Sequence, residues 1–262
     1  MFNAITRAGV AAENYPFCTI EPNVGVVELP DARLMAIAGI DKPQKIQPAL
    51  TEFVDIAGLV AGASKGEGLG NQFLAHIRET DGIVHVVRCF EKENVVHVTG
   101  KIDPIADIQI VNTELALADL ATVEKQYARY AKAAKAGADK EAQRIVAVLD
   151  KIQPALNQAR PARSVQLTKE EQPVLQSLFL LTAKPTMYVA NVAEHGFENN
   201  PLLDNVRVHA KSENAPVVAI CAELEAEIAD LGDEDKKVFL ADMGMQEPGL
   251  NRLIRVAFDL LG

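Results

Sequence analysis

Thr51-Glu-Phe-Val-Asp55-Ile-Ala-Gly58-Leu-Val60 is the stretch on which the fold turns. Phe53 and Val54 end a short apolar run of strand type, and Asp55 and Gly58 follow as DxxG. Glycines then recur at 62, 66, 68 and 70. Residues 71–80 read as a helix, because Phe73, Leu74 and Ile77 fall on one face. Strand, acid, glycine loop and helix in that order is a way to hold Mg²⁺ and sense a γ-phosphate. The Asp holds the metal through water. The Gly offers a backbone N–H to the phosphate where a side chain would intrude. A strand ending in an ordinary turn is the plainer interpretation, and a lone DxxG does not decide between them.

Working outward, the chain of 262 residues is 48% apolar, enough for a sizeable core rather than a disordered segment. No apolar run reaches membrane-spanning length and no signal-peptide pattern opens the chain, so no membrane partner is expected. Cys18, Cys89 and Cys221 are far apart and form no CxxC, which supports neither a zinc site nor a disulfide framework. A cytoplasmic, reducing setting is the expectation. The net charge of −10 is uneven: residues 120–163 carry nine Lys/Arg against four Asp/Glu, and the remainder 17 against 32. A basic segment on an acidic chain suggests a polyanion contact; a solvated helical surface is the alternative.

Residues 2–8 read as the later part of a helix, 24–29 as a strand, and 31–38 as a short helix capped by Asp31. Residues 82–89, Gly-Ile-Val-His-Val-Val-Arg-Cys, read as a buried parallel-type strand. From 103 to 182 strand signals almost vanish. Ile108, Val111, Leu115 and Ala118 step as a helical stripe, as do Ile145, Leu149, Ile152 and Leu156, with Gly137 between them. Two helices packed along these seams are expected, then a third opened by the capping box Thr168-Lys-Glu-Glu171. Strands return at 186–191 and 216–221. Helices are expected at 202–214, 223–231, 235–243 and in the amphipathic last segment around Leu250, Leu253, Ile254 and Ala257. The alternation implies an α/β fold with a doubly wound, mostly parallel sheet. Residues 1–102 and 183–262 would form the sheet domain and 103–182 an inserted helical coiled-coil arm.

Three further signals lie at strand ends, where ligands bind in such sheets. Thr19 could ligate Mg²⁺ through its hydroxyl. Asn191-Val192-Ala-Glu194 could read a base edge, and Cys221-Ala222-Glu223 could close over the same base. Singly each is more often a turn or cap residue; the order Thr, DxxG, NxxE, CAE is far more specific.

Asn14-Tyr-Pro-Phe-Cys-Thr-Ile-Glu-Pro22, the DxxG stretch with Gly66-Glu-Gly-Leu-Gly-Asn-Gln-Phe73, and Asn191-Val-Ala-Glu194 together resemble the Obg-like ATPases of the YchF type. These are a branch of the translation-factor-related P-loop GTPases. The likeness spans essentially the whole chain. It implies Thr19 and Asp55 as magnesium ligands, Asp55 and Gly58 as γ-phosphate sensor, and Asn191, Val192 and Glu194 as the base-reading segment. It also implies ATP as substrate and a ribosome or ribosomal RNA as partner through the basic arm. Relatives that read guanine carry an Asp that accepts two hydrogen bonds from the base. Glu194 is one methylene longer and adenine lacks those donors, so ATP is expected over GTP, with GTP use left open. Leu59 stands where Ras-like enzymes carry the water-orienting glutamine, so no catalytic side chain is assigned and slow turnover is expected.

The resemblance also implies a G-x-x-x-x-G-K-[ST] segment just ahead of the first helix and a TGS domain after the last. Neither is among the 262 residues. The expectation is therefore a sheet without its first strand, whose neighbours lack a row of hydrogen bonds. Two functions stay open: an ATP-hydrolysing, ribosome-associated switch, and a non-catalytic fragment or ribosome/RNA-binding module with a crippled nucleotide site.

Overall fold

The structure, a computed structural model, describes residues 1–6, 22–56, 69–92, 102–137 and 139–262. Thr19, Gly58, Leu59 and Cys18 lie outside the described residues. In chain order the elements are α1 (Phe2–Thr6), β1 (Asn23–Glu28), α2 (Ala32–Asp41), β2 (Leu50–Asp55), α3 (Leu69–Glu79) and β3 (Ile83–Arg88). The long helix α4 (Pro104–Lys135) and α5 (Lys140–Leu156) follow, then α6 (Gln172–Ser177). The chain closes with β4 (Thr186–Asn191), α7 (Pro201–Ser212), β5 (Val217–Ile220), α8 (Ala222–Asp230), α9 (Asp233–Asp242) and α10 (Gly249–Leu261). Among the described residues no helix is long and apolar enough to cross a membrane.

The α/β architecture is as expected, with strands in two ladders. β3, β4 and β5 pair in parallel, in that order, with Val84 opposite Met187 and Ala190 opposite Ala219. β1 and β2 pair antiparallel, Val24 opposite Val54, as a separate ribbon. Strand periodicity reports which face is buried and is silent on direction and partner, so the sequence pattern could not show this split.

β4 is the centre of the molecule, buried at five of its six positions because helices cover both faces of its ladder. Tyr188 and Ala190 pack with Leu203, Val206 and Ala210 of α7 on one face. Met187 and Val189 pack with Leu250, Leu253 and Ala257 of α10 on the other. Gly249 opens α10 where any side chain would collide, since an added Cβ would sit 2.8 Å from Glu225 Oε1. The same oxygen accepts the Gly249 N–H at 2.6 Å, pinning α10 to α8.

The helical segment needs one correction. The expected seam set Ile108, Val111, Leu115 and Ala118 against α5. Instead Ile108 joins the core around Tyr188, and Leu115 and Ala118 pack with Leu74 and Ile77 of α3. The α5 stripe meets Ala116, Leu120, Val123 and Tyr127, farther along α4. One helix of 32 residues thus serves two partners in succession, a division its unbroken periodicity conceals. Asp103 starts this helix, accepting the N–H groups of Ile105 and Ala106 at 3.1 Å. The third helix begins at Gln172, later than the capping box suggests; the box forms in part, with the Thr168 N–H donated to Glu171 Oε2 at 3.0 Å.

Two buried polar clusters tie the helical segment to the sheet. Asp119 of α4 accepts the N–H of Leu181 at 2.8 Å, and the N–H and hydroxyl of Thr182 at 2.7 Å each. Glu213, just after α7, accepts from Arg163 Nη2 at 2.6 Å and from the Tyr188 hydroxyl at 3.0 Å, and faces His209 Nε2 at 3.3 Å. Burial works against the Glu213 charge, yet His209, Arg163 and Tyr188 hold it down to about 2. The His85 ring, 5.6 Å from that of Tyr188, is pushed down to about 4 by burial and by the Arg163 and His209 charges.

Candidate functional site

The carboxyl ends of β3, β4 and β5 form one rim, where an open parallel sheet presents its ligand site. The strands bring Asn191, Val192 and the Cys221–Glu223 turn together directly. Cys89 donates its N–H to Asn191 O at 2.7 Å, and Val192 donates its N–H to Ile220 O at 2.8 Å. The Asn191 side chain then crosses to the next turn, where Oδ1 accepts the Ala222 N–H at 3.0 Å. The two segments singled out in the sequence are therefore one hydrogen-bonded unit.

Each member has a distinct environment. Val192 is buried and packs into the core around Tyr188, so it anchors the turn. Cys221 is buried at the start of α8. Burial pushes its thiol up against the N–H groups of Leu224 and Glu223, with Glu223 and Glu194 adding to the rise. Cys89 is pushed up to about 11 by burial and by Asp107. Both sulfurs are thiols at neutral pH and behave as small apolar groups. Glu194 is exposed. Glu223 is exposed and meets Lys92 Nζ at 3.0 Å, an ion pair from beyond β3.

Asp55 ends β2, in the other ladder, and no hydrogen bond among the described residues joins it to the Asn191 unit. Burial pushes its carboxyl above the usual range, opposed by the charge of the Met1 ammonium. A desolvated carboxylate of this kind is stabilised as the anion by a nearby cation. Among the described residues no group of three or more His, Cys, Asp or Glu could hold a metal by itself.

Two rim residues escaped the sequence analysis. Asn200 donates from Nδ2 to Cys89 O at 3.0 Å and to Gly196 O at 2.9 Å, while Oδ1 accepts from Leu202 and Leu203. One side chain thus ties the end of β3, the turn after Glu194 and the start of α7. An Asn before Pro201 at a helix start was a readable cap signal. Lys92 had none, since its partner lies 131 residues away.

A family model described as "50S ribosome-binding GTPase" matches residues 1–111. The chain is 61% identical to a protein of Haemophilus influenzae named "Ribosome-binding ATPase YchF", over all of this chain and 72% of that protein. A Bacillus subtilis protein of the same name is 51% identical over the same shares. The solved structure of the Schizosaccharomyces pombe YchF GTPase superimposes with a TM-score of 0.81 at 31% identity, over 99% of this chain and 71% of that one.

Proposed function

The chain belongs to the YchF family of P-loop nucleotide hydrolases, and from that premise we propose that it is an ATP-binding, ATP-hydrolysing switch that works on the ribosome. The observation that carries this is the Asn191–Ala222 bond, which ties the NxxE and CAE turns into one unit at the strand ends. Asn191 positions the Ala222 turn and Val192 anchors the unit from below. Glu194 is one methylene longer than the Asp that reads guanine in relatives, and adenine lacks the donors that Asp would meet, so adenine is preferred over guanine and GTP is the weaker ligand. Thr19 and Asp55 would hold Mg²⁺ beside the Gly58 N–H, and the metal would neutralise charge on the phosphates. Leu59 can neither orient nor deprotonate water, so turnover of the isolated chain is slow. The basic face of α4 and α5 would meet ribosomal RNA: Lys125, Arg129, Lys132 and Lys135 lie on the distal half of α4.

The test is titration with fluorescent ATP and GTP in magnesium buffer, beside sedimentation with ribosomes across a salt series. ATP should bind about tenfold or more tighter than GTP, and Asn191→Ala should lower ATP affinity by about tenfold while the fold is kept. Ribosome association should weaken steeply with salt. Tighter GTP binding, or an unchanged Asn191→Ala variant, would refute the base-reading assignment. Ribosome association without nucleotide binding would favour the second reading, a non-catalytic module.

A further inference from the structure

Away from the rim, β5 is the last strand of its ladder and its outer edge is unpaired among the described residues. Tyr188 donates its N–H to Pro216 O at 2.9 Å and Val192 donates to Ile220 O at 2.8 Å. Residues 216, 218 and 220 therefore turn their backbone groups towards β4, and Val217 and Ala219 turn theirs outward. A groove of about 410 Å³ follows this edge. Arg207 of α7 lines one wall and Arg252, Arg255 and Val256 of α10 the other.

The edge lacks the usual protections. Val217–Ile220 is apolar, with no lysine, proline or bulge in the strand. Among the described residues Arg252 covers it, its Nη2 donating to Ala219 O at 3.3 Å. Three arginines and one carboxylate, Asp259, line the groove of a protein whose net charge is −10, although two of the arginines are already paired. Arg207 also pairs with Asp204 at 3.0 Å, and Arg255 with Glu247. The Arg207 pair is solvent-exposed, and such pairs exchange partners at little cost.

We propose that the outer edge of β5 docks an extended acidic segment of a partner protein, which adds as a further strand and is clamped between Arg207 and the Arg252–Arg255 pair. An added strand sends successive side chains to opposite faces. Neighbouring carboxylates would thus reach the α7 wall and the α10 wall in turn, while the outward backbone groups of Val217 and Ala219 set the register. The open backbone edge favours a peptide over a nucleic acid, which would use the arginines alone.

The probe is a labelled octapeptide with a central Glu-Glu pair flanked by Val and Thr, titrated by fluorescence anisotropy against the whole chain. A Lys-Lys version and poly-uridylate serve as comparisons. Two variants divide the interaction. Arg207→Glu with Arg252→Glu reverses exposed charge. Val217→Pro removes one outward N–H at the first strand position and leaves the inner ladder intact. Thermal melting verifies that both stay folded. The Glu-Glu peptide should bind saturably, the Lys-Lys peptide should not, and each variant should weaken binding about tenfold. Several outcomes would overturn the proposal: no binding of the Glu-Glu peptide, binding indifferent to Val217→Pro, poly-uridylate binding that depends on the same arginines, or a dimer of this chain that Val217→Pro abolishes.

Discussion

β4 is buried at five of six positions, with helices packed on both of its faces, whereas β1 and β2 form a two-stranded ribbon against which α2 buries no residue. Ile40 of α2 is 86% exposed, and Val24, Val26 and Leu50 of the ribbon are exposed as well. The two parts of the proposed nucleotide site divide along this line. The Asn191 unit stands on the packed ladder, and Asp55 ends a strand of the ribbon. A base-reading surface is best held still, while a phosphate sensor has to change with the ligand. Elements that move are drawn from the regions with the least buried contact.

The sharpest way to break the contrast is Leu203→Ala. Leu203 is fully buried between α7 and β4, so its truncation should cost about 2–5 kcal/mol in urea unfolding. A loss of less than about 1 kcal/mol would mean the ladder is no better packed than the ribbon.

Acid should act next, and through the packed ladder. His85 has its ordinary value of 6.5 when unfolded and about 4 in the fold. The stability it contributes is present above pH 6.5 and is lost as pH falls through 6.5 towards 4. Glu213 follows in the same direction, from 4.5 to about 2. The melting temperature should therefore fall from pH 7 to 3, by about 2–4 °C for each kcal/mol lost. His85→Gln should flatten the upper part of that curve. An unchanged slope in the variant would remove His85 from the account.

The smallest effect sharpens the other side. Ile40→Ser should shift unfolding by no more than about 0.5 kcal/mol, because its side chain already stands in water. A larger loss would show that α2 is held by contacts absent from the described residues.

The sequence made the packed ladder legible and the ribbon only in outline. Met187–Ala190 is an apolar run within the strand Thr186–Asn191 and the last helix an unbroken stripe, signals that follow from burial itself. The NxxE and CAE turns were found at the right strand ends, and the bond between Asn191 and Ala222 could not be, because it joins residues 31 apart. The same limit hid Asp119 under Thr182, and Arg163 beside Glu213, 50 residues away. Charged residues in a helical run look solvated until a distant element covers them. The antiparallel ribbon escaped for another reason, since alternation carries no arrow.

α4 is a single rod whose first turns are set in the core with Ile108 and whose far end reaches Lys135. At 1.5 Å per residue its 32 residues extend about 48 Å. Only about 24 Å of that lies beyond Asp119, the last sheet-side anchor, and a swing of about 5° there displaces the far end by about 2 Å. Leverage of that kind turns a sub-ångström shift beside the sheet into a larger movement at Lys135.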